Sequence, residues 1–270
     1  MATLNVLIIG DIVGRAGRNA LKAKLPEMKE KYQPDLVIAN GENLAHGYGV
    51  SEKILDDLEE NGVDFFTSGN HIFKTGKDLN KILLDHPIIR PANYEDNMPG
   101  VGYKMIEVGT TKVLIINLLG QVFLEERIEE TINNPFKVLD AILAETKMDK
   151  PDIVLIDFHA EATSEKKSLG AFVDGRASLM FGTHTHIQTA DEYIMPEGTG
   201  YITDIGMVGV QHSSLGMEFD SIIKSFVSET KLPKIVPQHG LCLINGIIAK
   251  IDIGTGKTVS IERVTEYAEV

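Results

Sequence analysis

Leu4-Asn5-Val6-Leu7-Ile8-Ile9-Gly10-Asp11-Ile12-Val13-Gly14 opens as an apolar run rich in β-branched residues, breaks at a glycine and then presents an acid. Such a run reads as a buried strand, and a strand that ends this way delivers its acid at the carboxyl edge of a sheet. Similar runs follow at Leu36–Ala39, Phe65–Phe66, Val113–Asn117, Ile153–Phe158 and Leu179–Phe181. Helical patterns lie between them, at Arg15–Lys31, at Ser51–Glu60 behind an N-cap serine, and at Phe136–Lys147 with Pro135 in the first turn. The order β-α-β-α-β predicts an α/β sheet with helices packed outside it.

Two stretches depart from that pattern. Tyr103–Val108 and Lys112–Asn117 flank a Gly109-Thr110-Thr111 turn, and Leu243–Ile253 and Val259–Val264 flank Gly254-Thr255-Gly256-Lys257, so both read as hairpins. With no Pro- or Ser-rich linker, no low-complexity tract and no repeat, residues 1–270 are expected to form one domain holding two sheets.

Composition narrows the function classes. The chain carries 39 Asp and Glu against 26 Lys and Arg, a formal net charge of -13. Such a chain repels a polyphosphate backbone, so long nucleic acid is not expected as a partner. The lone Cys242 forms no internal disulfide, and the first residues show neither a basic leader nor a small-residue cleavage site, which predicts a cytoplasmic protein. Every apolar run stops well short of the roughly 20 residues of a membrane helix.

Polar residues recur directly after the apolar strands: Asp11, Glu42-Asn43, Asn70-His71, His159 and His184-Thr185-His186. Carboxyl ends of strands are where α/β sheets gather ligands. Each residue alone has an ordinary structural reading. Asp11 caps a turn, Glu42-Asn43 is loop polarity, Asn70 supports its own turn and His159 is a hydrogen-bonded core histidine. The histidine pair is sharper, because side chains two apart on an extended segment share a face. Jointly the set supplies three histidines besides His71, two carboxylates and two amides, a donor mix suited to Zn, Fe or Mn. Two such ions about 3.5–4 Å apart clamp a phosphoryl group and acidify a water. A carboxylate such as Glu42 has the two oxygens that a bridge requires, whereas an Asn offers one end-on oxygen.

Together, Gly10-Asp11, Glu42-Asn43, Gly69-Asn70-His71, His159 and Gly182-Thr183-His184-Thr185-His186 resemble the calcineurin-like metallophosphoesterases. More narrowly, Gly10–Gly14, Asn40–Asn43, Asp157–Lys166, Gly182–His186 and Tyr201–Met207 are similar to the YmdB-like branch of bacterial 2′,3′-cyclic-nucleotide 2′-phosphodiesterases. Val13 stands where most of the superfamily has a histidine, and Glu42-Asn43 where most has Gly-Asp; the branch shares both changes. The resemblance implies an α/β/β/α sandwich of two mixed sheets flanked by helices, and two transition-metal ions, Fe or Mn, with Zn an alternative. One ion would take Asp11, Glu42, Asn43 and His186, the other Glu42, Asn70, His159 and His184. His71 would face the substrate as general acid. The implied substrate is a small cyclic nucleotide, 2′,3′-cyclic first and 3′,5′-cyclic second, and the implied assembly a homodimer or homotetramer. The Val208–Leu215 loop matches the branch less well than its flanks.

Three rival readings remain at this level. The same cage serves a phosphomonoesterase or a nuclease. A low-turnover regulatory binder of metal and nucleotide would need no His71. A dinucleotide-binding reading of Gly10-Asp11-Ile12-Val13-Gly14-Arg15-Ala16-Gly17 fails on glycine spacing, and Asp11 would repel a pyrophosphate.

Overall fold

In the computed structural model, which describes residues 2–74, 79–230 and 232–270, the strands fall into two six-stranded mixed sheets. The strands are β1 (Thr3–Ile12), β2 (Leu36–Asn40), β3 (Phe65–Thr67), β4 (Tyr103–Val108), β5 (Thr111–Leu119), β6 (Ile153–His159), β7 (Leu179–Thr183), β8 (Tyr193–Ile194), β9 (Gly200–Ile202), β10 (Met207–Val210), β11 (Leu241–Asp252) and β12 (Thr258–Glu269). The helices are α1 (Gly14–Tyr32), α2 (Glu52–Glu60), α3 (Leu79–Asp85), α4 (Pro135–Glu145), α5 (Thr163–Val173) and α6 (Phe219–Ser228).

The first sheet runs β12-β11-β10-β1-β2-β3, with β1, β2 and β3 parallel and β11 antiparallel along the first part of β1. The second runs β4-β5-β6-β7-β9-β8, parallel in its middle and antiparallel at both edges. Alternation along the strands sorts the core into three layers. Val6, Ile8, Ile38 and Phe65 meet Ile115, Leu155, Leu179 and Phe181 between the sheets. Leu7 and Ile9 pack under Leu21 and Leu25 of α1, while Leu114 and Ile156 pack under Leu139 of α4 and Leu169 of α5. The result is the α/β/β/α sandwich.

Local chemistry moves some boundaries. Val108 pairs with Thr111, so the first hairpin turns on Gly109-Thr110 alone and Thr111 belongs to the strand, with Gly109 at φ 61° as a two-residue turn requires. Ser51 precedes α2 in extended conformation, yet its side chain makes no capping bond; its carbonyl accepts from Ile54 and Leu55 N–H instead. Asn134, by contrast, caps α4 through its side-chain oxygen ahead of Pro135. α4 stops at Glu145, where the chain tightens into a 3-10 turn over Thr146–Asp149.

At the carboxyl ends of the parallel strands the layer between the sheets turns polar. Asp157 of β6 is fully buried and accepts from Asn40 Nδ2 at 3.0 Å, Thr67 Oγ1 at 2.5 Å and Thr183 Oγ1 at 2.7 Å. Asn40 and Thr67 belong to the first sheet and Thr183 to the second, so one carboxylate fastens both. Asn117 adds a parallel tie, accepting from Ser68 N–H at 3.1 Å. Removing the carboxylate leaves the Thr67 and Thr183 hydroxyls without an acceptor and takes from Asn40 Nδ2 one of its two, Ser68 O being the other. Asp157→Leu is expected to destabilise the protein by about 3–5 kcal/mol, read as a lower denaturant midpoint at unchanged slope. A loss below about 1 kcal/mol would show that the seam does not depend on it.

Candidate metal centre

The polar seam leads directly into a cluster of imidazoles and carboxylates. Asp11 stands one residue before the end of β1, the loop after β2 carries Glu42 and Asn43, the loop after β3 carries Asn70 and His71, β6 ends in His159, and the turn after β7 carries His184 and His186. Asp11, Glu42, Asn43, Asn70 and His159 are all buried. Gly69 lets the third loop approach, because a Cβ there would overlap Glu42 Oε2 and His159 Nε2.

One ligand atom each from Glu42, His159 and His184 falls within 4.8 Å of the others, a grouping that can hold a metal ion. Asn70 Oδ1 joins them at 3.2 Å from His159 Nε2, and His184 Nδ1 lies 3.1 Å from the same nitrogen. The ring nitrogens are set by their outer partners. Thr183 Oγ1 donates to Asp157 and accepts from His159 Nδ1 at 2.8 Å, which turns His159 Nε2 inward. Glu161 Oε2 accepts from His184 Nε2 at 3.1 Å, leaving His184 Nδ1 to face the cluster.

Asp11, Asn43 and His186 lie on the other flank. His186 Nε2 is 3.8 Å from Asp11 Oδ1 and 3.2 Å from Asn43 Nδ2. Asn43 turns its oxygen toward His71 Nδ1 at 3.1 Å, and an end-on contact from Asn43 to a cation would use that oxygen. His71 Nδ1 also lies 2.8 Å from Glu42 Oε1, so two acceptors hold one ring nitrogen.

The two histidines of Gly182–His186 reach these separate flanks by a route that the extended-segment expectation misses. β7 ends at Thr183, and His184 and His186 both take positive φ, 94° and 64°. These values are sparsely populated for residues with a Cβ and need outside support. A buried ion pair supplies it. Lys166 Nζ lies 2.7 Å from Asp204 Oδ2 and donates to Thr183 O, while the same Asp204 oxygen accepts from the Thr185 N–H and hydroxyl. His184 N–H donates to Asp11 Oδ2. The turn is thus pinned at Thr183, His184 and Thr185, and the two rings diverge.

Two acceptors are left over. Asp11 Oδ1 and Glu42 Oε2 are buried and neither receives a hydrogen bond, although Glu42 Oε2 lies 2.5 Å from His159 Nε2, a close pair that is badly aligned for one. Buried carboxylate oxygens without donors fit a cation, and this donor set fits Fe, Mn or Zn better than an all-oxygen ion. The same burial shifts the protonation of these groups. Burial pushes the Asp11 carboxyl up to about 6. Burial would also raise Glu42, but His159 and His71 outweigh it and hold that carboxyl well below the usual range. Burial would lower His159, yet Glu42 and Asp11 raise it to about 9, whereas burial and then His159 push His184 down to about 4.

A model of the YmdB-like protein family matches residues 7–264. The chain belongs to that family. It is 43% identical to the 2′,3′-cyclic-nucleotide 2′-phosphodiesterase of Bacillus subtilis over 263 residues, 97% of this chain and 96% of that one. The crystal structure of a phosphatase from Mycoplasma pneumoniae superposes with a TM-score of 0.93 at 35% identity, covering 100% of this chain and 95% of that one. A Thermus thermophilus protein of unassigned function gives 0.88 at 37% identity, covering 98% and 99%. Among the described residues of this YmdB-like chain, no helix is long and apolar enough to cross a membrane.

Asp157, Glu161, Lys166, Thr183 and Asp204 complete the centre, and residue reading gave none of them a role. A charged residue inside the apolar run Ile153–Phe158 was the available signal for Asp157.

Cation binding requires Asp11 ionised and His159 neutral. A proton is therefore displaced from His159 below about pH 9 and a further one from Asp11 below about pH 6, so affinity rises with pH across that window. Calorimetric titration of Mn(II) into metal-free protein at pH 7.5, repeated in buffers of different ionisation enthalpy, should show about one proton released per chain. Binding without proton release would remove His159 from the ligand set.

Proposed function

We propose that this chain hydrolyses 2′,3′-cyclic nucleotides at the 2′ ester, with 3′,5′-cyclic nucleotides as secondary substrates. Residues 1–270 act as one catalytic domain, in the cytoplasm, as a homo-oligomer. The single observation that carries the reading is the pair of buried oxygens that receive no aligned hydrogen bond, Asp11 Oδ1 and Glu42 Oε2, set among imidazoles beside a cavity of about 470 Å³. Asp11, Asn43 and His186 would hold one divalent ion and Asn70, His159 and His184 the other, with Glu42 between them. When bound, such ions neutralise phosphoryl charge and acidify a water.

The rest of the chemistry falls to the protein's own groups. Attack on phosphorus breaks the bond to the ribose 2′ oxygen, which leaves as an alkoxide and needs a proton. His71 faces the cavity, and its Nδ1 is held by Glu42 Oε1 and Asn43 Oδ1, so the proton it delivers is the one on Nε2. After transfer the ring keeps its Nδ1 proton on Glu42 and is the neutral tautomer. Tyr48 packs edge-on to the His71 ring at 4.9 Å and fixes its plane.

The Mycoplasma pneumoniae relative is named a phosphatase, which favours phosphomonoesters as the second reading. A panel of cyclic nucleotides and nucleoside monophosphates separates the two.

Loss of the proton donor should depend on the leaving group. His71→Ala should slow a 2′,3′-cyclic nucleotide by about 10²–10⁴-fold, yet an aryl phosphodiester releasing nitrophenolate far less, because that anion departs without a proton. Metal content, read by elemental analysis, should stay unchanged. Equal losses on both substrates would make His71 a positioning residue.

A further inference from the structure

The cavity lining is of two kinds. Glu42, Asn43, His71, His184 and His186 are polar and belong to the metal centre; Tyr48, beside His71, and Met217, Ile222 and Phe226 are aromatic or aliphatic. Ile222 and Phe226 come from α6, whose apolar residues Phe219, Ile222, Ile223, Phe226 and Val227 follow the spacing of one helix face. None of them is buried, and Phe226 is 79% exposed. A helix with this pattern ordinarily buries its stripe in the core, so an apolar face left open beside a charged centre calls for an occupant.

Resting on the cyclic-nucleotide reading, we infer that the α6 wall, Ile222 and Phe226 together with Tyr48 and Met217, is the subsite for the substrate's nucleobase. With the phosphate anchored at the metal centre, the nucleoside must extend into the rest of the cavity, where Tyr48, Met217, Ile222 and Phe226 offer aromatic and aliphatic faces for a flat, uncharged ring. A cavity of about 470 Å³ lies in the range that encloses small-molecule ligands. The lining carries the carboxylates of Glu42 and Glu161 and one ammonium. Lys234 is the one Lys or Arg among the described residues lining the cavity, and it makes no ion pair with them. In a chain of formal net charge -13, a lysine there supplies local attraction for a nucleotide.

The chemistry of the wall also sets its selectivity. Of Tyr48, Met217, Ile222 and Phe226 only Tyr48 carries a hydrogen-bonding group, a single hydroxyl that both donates and accepts, and stacking tolerates every base because each has a π face. The subsite therefore distinguishes nucleotides from phosphorylated sugars rather than one base from another.

Equilibrium binding tests this without turnover. On manganese-loaded protein, calorimetry should find adenosine 3′-phosphate bound at least about tenfold more tightly than ribose 3-phosphate, the value of one stacked base. Phe226→Ala should erase most of that preference and leave ribose 3-phosphate binding unchanged. Its high exposure removes the risk of misfolding. Val227→Ala, on the same stripe but not lining the cavity, should retain the preference. Equal binding of the two ligands by the wild type, or equal loss of both in Phe226→Ala, overturns the subsite. If Phe226→Ala and Val227→Ala instead both alter only self-association, seen by sedimentation, the stripe is a contact between copies and the proposal fails. Base-dependent binding without hydrolysis of any cyclic nucleotide would sustain the subsite and reject the catalytic reading.

Discussion

Negative charge buried at one seam is the constraint around which this molecule is arranged. Asp11, Glu42 and Asp157 sit fully or almost fully out of water where the two sheets meet. An uncompensated buried carboxylate costs several kcal/mol, so each needs donors or cations close by. Asp157 finds three donors and becomes the fastening between the sheets. Asp11 and Glu42 each keep one oxygen without a donor, and imidazoles surround them. The same burial serves stability at one carboxylate and leaves binding capacity at the other two.

Supporting contacts decide which of these groups can act. His159 is oriented through Thr183 by Asp157, so the residue that joins the sheets also aims a ring at the centre. The turn bearing His184 and His186 adopts unfavourable backbone angles and is held by the buried Lys166–Asp204 pair. A buried ion pair replaced by apolar groups often costs little stability, so its value here lies in the shape of that turn. Preorganisation of this type lets the centre meet a cation or a phosphate with little rearrangement.

Much of this was legible in the sequence because strand ends and their first polar residue are local features. The apolar runs followed by Asp11, Glu42-Asn43, Asn70-His71, His159 and His184 located the edges of the pocket, and the resemblance supplied the division of these residues between two ions. The turn after β7 departs from the extended expectation because its geometry is imposed from Lys166 and Asp204, which no local pattern connects to it. For the same reason the split of the two histidines between flanks came from the resemblance and not from spacing. α6 shows the opposite case. Its apolar periodicity is plain in residues 219–227, yet periodicity alone would have placed that face in the core, and only the fold shows it bordering the cavity.

Anomalous diffraction from crystals of the manganese-loaded wild type tests most directly whether Glu42 stands between two cation sites. Two peaks are predicted, one beside Asp11 and His186 and the other beside His159 and His184, with the Glu42 carboxylate touching both. A single peak, or two peaks of which Glu42 contacts only one, would contradict the account.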